Sequence, residues 1–373
     1  MRKAYLDNAS TTALRPEVIS EITQVLMENY GNPSSTHSFG RSAKVVVENS
    51  RKKIAGLIGA EAREIIFTSG GTEANNWIIT SAVRDLGVKR IISSRIEHHS
   101  VLHSVTETGV AVDYVNLLPN GSIDFNHLVT LLSSGEPSLV TLMHVNNETG
   151  TVLDLERAGR ICRQHNAYFH SDTVQSIGKT IFDFKNIPID FATASAHKFH
   201  GSKGAGFAFV RKNTPLRPIL HGGEQEKGLR AGTEAVHQIA GMAKALEISY
   251  HNLDSEKAHV TLLREYCIAQ LEEHFKGFKI NGSGDAESSF YNIINVMLPM
   301  PEEKTSMILF HLDMLGIAVS RGSACQSGSI KPSHVLRELL SDDEIGKPSL
   351  RISFSHYNTK EDVDHLINAL KTI

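Results

Sequence analysis

Apolar and polar residues alternate in two distinct rhythms through the first two thirds of the chain. Val18, Ile22 and Val25 recur at helical spacing, as do Val46, Ile54, Leu57 and Ile58. Short apolar runs bounded by polar loops follow: EIIFTS, KRIISS, VAVDYVNL, SLVTLMHV, AYFHSD, IDFATASA and GAGFAFV. Amphipathic stretches at 73–86, 98–108, 124–134 and 154–166 separate most of them, so strands alternate with helices. That order predicts an α/β fold whose large domain is a mostly parallel sheet covered by helices on both faces. Beyond residue 234 the rhythm changes to a long helical region reaching about residue 275. Strand-like FKIN and YNIINVML, a helix over 303–315, strand-like SLRISFS and a closing helix over 359–372 complete it. This reads as a smaller α+β domain. The division expected is a large domain over 16–250, and a small domain built from 1–15 together with 251–373.

Composition narrows the function. The chain has 373 residues, 40% hydrophobic and 21% charged, with a net charge of −3. No basic field is present to hold nucleic acid or an anionic membrane. MRKAYLDNAS lacks the apolar stretch of a signal peptide, and three widely spaced cysteines form neither a disulfide framework nor a zinc pattern. A cytoplasmic protein is expected. Cys162 and Cys267 fall at core-like spacing in helical stretches, whereas Cys325 lies in GSACQSGS with no apolar run beside it.

Ligands of open parallel sheets sit beyond the carboxyl ends of the strands. Here EIIF runs into TSGGTEAN, VTLMHV into NNETG, YFH into SDTVQS, and FATASA into HKFHGSKG. In TSGGTEANN two glycines precede a helix start at about Thr72, which suits an anion, although Gly-Gly also makes ordinary tight turns. The segment is neither a Walker loop nor a G-x-G-x-x-G fingerprint, which disfavours a nucleotide. Lys198, at the end of a buried strand, has the position of a Schiff-base lysine, though many lysines merely extend to solvent. Asp172 suits a metal ligand, a helix cap or a partner for a ring nitrogen. His98 or His99 suits a group that stacks on a ring. Anion site, amine, acid and stacking group together are what pyridoxal 5'-phosphate requires.

The motifs YLDNASTT, GNPSSTHSFG, FTSGGTEANN, EHHSVL, HVNNETG, SDTVQSIGK, AHKFHGSKG, HGGEQEKGLRAGT, SRGSACQSGS and SLRISFS occur in this order almost end to end. In them the chain resembles the cysteine desulfurases, pyridoxal-phosphate enzymes of the class V aminotransferase group. These take sulfur from L-cysteine, leaving L-alanine, for iron–sulfur clusters or tRNA thiolation. The resemblance implies a two-domain fold active as a homodimer. It implies Lys198 as the cofactor's lysine and proton shuttle, Asp172 as the acid on the pyridine nitrogen, and His98 as the ring-stacking group. It further implies Asn147 and Gln175 as hydrogen-bonding groups, with Asn146 the lesser alternative to Asn147. Gly71, Thr72, Ser195 and His197 correspond to the phosphate cradle, and Thr233 to the residue completing it from the partner subunit. Arg351 and Asn32 correspond to the substrate-carboxylate site, for which an arginine fork is suited.

Cys325 corresponds to the thiolate that takes the sulfur as a persulfide and passes it to an acceptor protein. Its SSGSAC-type segment matches the long-loop branch rather than the GHHCA branch, and KPSHVLREL after it reads as a helix with proline in its first turn. Two positions depart from the pattern. Arg321 stands where serine is usual, and suits activation of Cys325, contact with an acidic partner, or equally a solvated hinge. His356 replaces a common Arg or Lys. The chain ends soon after its last helix, which leaves the sulfur acceptor open. A selenocysteine lyase or aminotransferase of the same fold is the alternative activity, and Cys325 disfavours an aminotransferase. A non-catalytic partner would be expected to lack Lys198, Asp172 or Cys325.

Overall fold

A computed structural model describes residues 2–285, 288–322 and 333–373. Cys325 therefore lies outside the described residues. All seven apolar runs of the first two thirds become strands of one sheet. Its order is Ile65–Thr68, Gly206–Val210, Phe191–Ser195, Tyr168–Asp172, Ser138–Thr141, Arg90–Ser93 and Ala111–Tyr114. Every pairing is parallel except the two made by Gly206–Val210, which runs against both neighbours. Most of these strands are buried on both faces, which explains their near-continuous apolar character.

Alternate residues feed two cores. Ile65, Val140, Phe207 and Phe209 pack with Val18, Val47, Ile54 and Cys162 on one face. Ile66, Leu139, Phe191 and Ala208 pack with Trp77, Ile78, Val101 and Val105 on the other. The period of two thus puts helices Pro16–Glu28, Ser38–Leu57, Leu155–Gln164 and Val236–His251 on the first face. Gly71–Asp85 and His99–Glu107 cover the second. A separate core joins helix Leu253–His274 and helix Lys360–Leu370 to a three-stranded antiparallel sheet, ordered Ser349–Ser353, Ile293–Met297, Lys279–Ile280. Cys267 is fully buried there, and burial pushes its thiol up to about 12.

Two helical expectations need correction. The stretch 303–315 is helical only over Ile308–Met314, after a 3-10 turn at Glu302–Lys304 that Pro301 introduces. The helix after the cysteine segment starts at His334, and the Ser333 hydroxyl caps it by accepting from the Val335 and Leu336 amides. A serine cap, not a proline, opens that helix.

One buried ion pair ties the HGGEQEKGLRAGT segment to the edge of the main sheet. Arg51 donates to both oxygens of Glu226 at 2.6 and 2.7 Å, and the Phe67 amide donates to Glu226 at 2.8 Å. Glu226 and Lys227 hold left-handed φ values of 48° and 61°, so the segment is pinned in a conformation that side chains rarely adopt. Glu226→Ala removes both short bonds of the buried Arg51 fork and leaves it only Glu48 at 3.2 Å and the Ile65 carbonyl at 2.8 Å, so the expected loss of stability in a urea titration is about 3 kcal/mol.

Candidate active site

The parallel strands end on one rim, and the polar residues of the sequence motifs gather there around a cavity of about 320 Å³. Its walls include Gly71, Thr72, His98, Asn147, Asp172, Gln175, Ser195, His197, Lys198 and Arg351. Of the residues expected at a site, the structure brings these ten together. Asn32 and Thr233 are exposed and lie outside the walls of this cavity. Ala9, Ser10, Ser100, Met143 and Val174 also line it.

Local geometry explains each placement. Helix Gly71–Asp85 begins against the rim with Gly70 as its cap at φ 147°, a conformation glycine tolerates. A Cβ on Gly71 would stand 2.6 Å from Val174, and one on Gly206 2.6 Å from Gly70. Side chains at these positions would fill the space in front of the helix start. Lys198 ends the turn Ala196–Lys198 directly after a fully buried strand. Its Nζ donates to the Ala9 and Ser10 carbonyls at 2.6 and 2.8 Å. The N-terminal NASTT stretch is thus a second wall, fastened by Thr12, whose amide and hydroxyl both donate to the His197 carbonyl at 2.9 Å. Burial, with Lys198 adding to it, pushes His197 down to about 3, so its ring is neutral at physiological pH.

Asp172 ends its strand with donors on both carboxylate oxygens: Asn75 Nδ2 at 2.8 Å and the Val174 amide at 3.0 Å. His98 caps helix His99–Glu107, its Nδ1 meeting the Ser100 amide at 3.1 Å and hydroxyl at 2.8 Å. Burial lowers its pKa, Lys198 adds to that, and Asp172 opposes it. The two asparagines of HVNNETG have different surroundings. Asn146 is spent on the turn, donating to the Ile96 carbonyl and accepting from the Glu148 and Thr149 amides, while Asn147 lines the cavity. His144 bonds Ser176 at 2.8 Å away from the cavity, and burial lowers it to about 4.

Arg351 enters from the small sheet and is only 1% exposed. It donates to the Asn147 carbonyl at 2.8 Å, to Asp7 at 2.8 Å and to the Ser10 hydroxyl at 2.5 Å. Nε has no hydrogen-bond partner among the described residues. Both described flanks of the cysteine segment converge beside it: Ser333 donates to Glu148, and a Cβ on Gly322 would stand 3.0 Å from the same carboxylate. Glu148 directly follows Asn147 of the cavity wall. Arg321 is half-buried, and desolvation lowers its pKa. His356 lies elsewhere, accepting from Arg15 at 3.3 Å while Arg15 pairs with Glu256 at 2.8 Å, and its ring stands 4.6 Å from that of His200.

The donor set fits pyridoxal phosphate. A glycine-lined helix start with Thr72, Ser195 and His197 suits a phosphate, and an amine and a carboxylate stand at the same cavity. Gln175 Oε1 is a buried acceptor without a partner among the described residues, as expected where a ligand completes the wall. No described group of three or more His, Cys, Asp or Glu residues has the arrangement of a metal site.

Similarity to known proteins agrees with this geometry. The chain is 40% identical to the cysteine desulfurase IscS of Dictyoglomus turgidum, across all of this chain and 94% of that protein. Among solved structures, a NifS-like protein superposes with a TM-score of 0.90 at 34% identity, covering 100% of this chain and 99% of that one. SspA in complex with cysteine gives a TM-score of 0.80 at 29% identity, covering 96% and 100%. The family described as Aminotransferase class-V matches residues 4–366. Taken with the fold and the rim that carries Lys198 and Asp172, this establishes that the chain belongs to the class-V aminotransferase family.

Proposed function

We propose that the chain is a pyridoxal-phosphate-dependent cysteine desulfurase that converts L-cysteine to L-alanine and takes the sulfur as a persulfide on Cys325. The observation that carries this reading is the convergence on one cavity of Lys198, Asp172, His98 and Arg351, with both described flanks of the cysteine segment beside it. When bound, pyridoxal phosphate supplies an electron sink that acidifies the substrate's α hydrogen and weakens its carbon–sulfur bond.

The residues would divide the remaining work. Lys198 would anchor the cofactor and carry protons at the substrate α carbon. Asp172 would hold the ring nitrogen, and His98 would stack on the ring. Gly71, Thr72, Ser195 and His197 would hold the phosphate, with Thr233 reaching the partner's site in a homodimer. Asn147 and Gln175 would fix the remaining polar edge. Arg351 would take the substrate carboxylate, with Asn32 assisting. The Cys325 thiolate attacks the substrate sulfur, the carbon–sulfur electron pair stays on carbon, and that carbon takes a proton to become the methyl group of alanine. The persulfide then passes to an acceptor protein for iron–sulfur assembly or tRNA thiolation. We take residues 16–250 as the cofactor lobe, and 1–15 with 251–373 as the lobe carrying Cys325. No described helix is long and apolar enough to cross a membrane, and a reducing cytoplasm suits a reaction that depends on a free thiol.

Alanine formation from L-cysteine, without any keto-acid acceptor, tests the activity. Dependence on a keto acid would make the chain an aminotransferase, and strong preference for selenocysteine would make it a lyase for that substrate. Arg351→Gln keeps a hydrogen-bonding side chain but loses the cationic fork. Its expected effect is a fall of about 100-fold in kcat/KM for cysteine, mostly in KM, measured by steady-state alanine release.

A further inference from the structure

Behind the cavity wall, the amide of Asn75 joins the two groups assigned to the cofactor ring. Asn75 is fully buried on helix Gly71–Asp85. Its Nδ2 donates to Asp172 Oδ2 at 2.8 Å and to Ser100 Oγ at 2.9 Å, while its Oδ1 accepts from the Thr193 hydroxyl at 3.0 Å. The amide orientation follows from its neighbours. A carboxylate oxygen of Asp172 can only accept, so the NH₂ side must face it, and Thr193 supplies the donor that Oδ1 needs. One Nδ2 hydrogen then goes to Asp172 and the other to Ser100.

Ser100 is constrained in turn. Its Oγ already accepts from Asn75, so its own hydrogen is available for His98 Nδ1, 2.8 Å away. The Ser100 amide also donates to that nitrogen at 3.1 Å. Two donors converge on Nδ1, which leaves no room for a hydrogen there, and the ring hydrogen must sit on Nε2. We infer that Asn75 and Ser100 are positioning residues that lock His98 in its neutral Nε2–H tautomer and orient the Asp172 carboxylate through one shared amide. His98 therefore presents a hydrogen-bond donor, not a lone pair, from its free ring nitrogen. Its consequence for turnover rests on the desulfurase reading; the tautomer does not.

Histidine-selective ¹⁵N NMR of the purified full-length protein tests this directly, with His98→Gln used to assign the signal. At neutral pH the expected His98 pattern is a pyridine-type Nδ1 and a pyrrole-type Nε2. Asn75→Asp places an acceptor where both donations arise, so the Ser100 hydroxyl turns toward the new carboxylate. The expected result is a shift of both His98 nitrogens toward a tautomer mixture, with kcat for alanine formation about 10- to 100-fold lower. Ser100→Ala, which removes the hydroxyl donor without placing a charge in the core, is expected to shift the same signals in the same direction. A pyrrole-type Nδ1 or an imidazolium in the unmutated protein overturns the inference, as do unchanged His98 signals in both variants. The expected NMR pattern in a protein that forms no alanine supports the tautomer and overturns the desulfurase reading instead.

Discussion

Lys198→Ala is expected to lower alanine formation from L-cysteine by about 10³-fold or more, while the protein stays folded. The size follows from two losses at one atom. The amine is the group assigned to the covalent link with the cofactor, and a positioned acid–base group alone contributes about 10²- to 10⁴-fold. The fold should tolerate the change. Lys198 Nζ bonds the Ala9 and Ser10 carbonyls, and without it NASTT keeps its fastenings through Thr12, His197 and His200. The absorbance of the bound cofactor separates the alternatives. Loss of the visible band of the lysine adduct, with far-UV circular dichroism unchanged, supports the assignment. Retention of both band and turnover would move the covalent role to another amine, with Lys179 the first to examine. That lysine is buried, and burial lowers it to about 7.

Cys325→Ser is the second large effect. It should leave the cofactor spectrum unchanged, because no role in holding the cofactor is assigned to Cys325. Sulfur transfer should fall by at least about 10³-fold, because a serine hydroxyl is scarcely ionised at neutral pH and forms no persulfide. Neither of the other cysteines is placed to compensate. Cys162 packs in the core of the main sheet, where burial raises its pKa strongly, and Cys267 is fully buried in the small lobe. Their burial separates them from any acceptor protein, whereas the flanks Gly322 and Ser333 stand beside the cavity at Glu148.

The contrast between these cysteines shows what could be read from the residues alone. Cys162 and Cys267 follow helical periodicity, so packing was legible as core spacing. The strands were legible for a related reason: burial on both faces forces continuous apolar runs, and polar residues can appear only where each strand ends. Lys198, Asp172 and His98 stand out at such ends. The helix at Ile308–Met314 is shorter than its sequence suggests because EEKTS, free of glycine and proline, reads as a polar helix start, whereas the chain makes a separate 3-10 turn after Pro301. Asn75 and Ser100 carried no signal of their own. Each is a polar residue in the first two turns of an amphipathic helix, where solvent exposure is the ordinary expectation. Only the approach of that helix start to the end of the Tyr168–Asp172 strand turns Asn75 inward. The same holds for Asp7, whose carboxylate meets Arg351 across more than three hundred residues. Contacts of that span depend on the N-terminal segment returning to the strand Ser349–Ser353, and leave no local periodicity.

The most direct test of the whole account is a single-turnover reaction with stoichiometric L-cysteine, read by intact and peptide mass spectrometry. The expected result is one alanine released per active site, and one added sulfur on the peptide that carries Cys325, removable by a thiol reductant. Alanine released with no protein-bound sulfur, or sulfur found on Cys162 or Cys267, would contradict it.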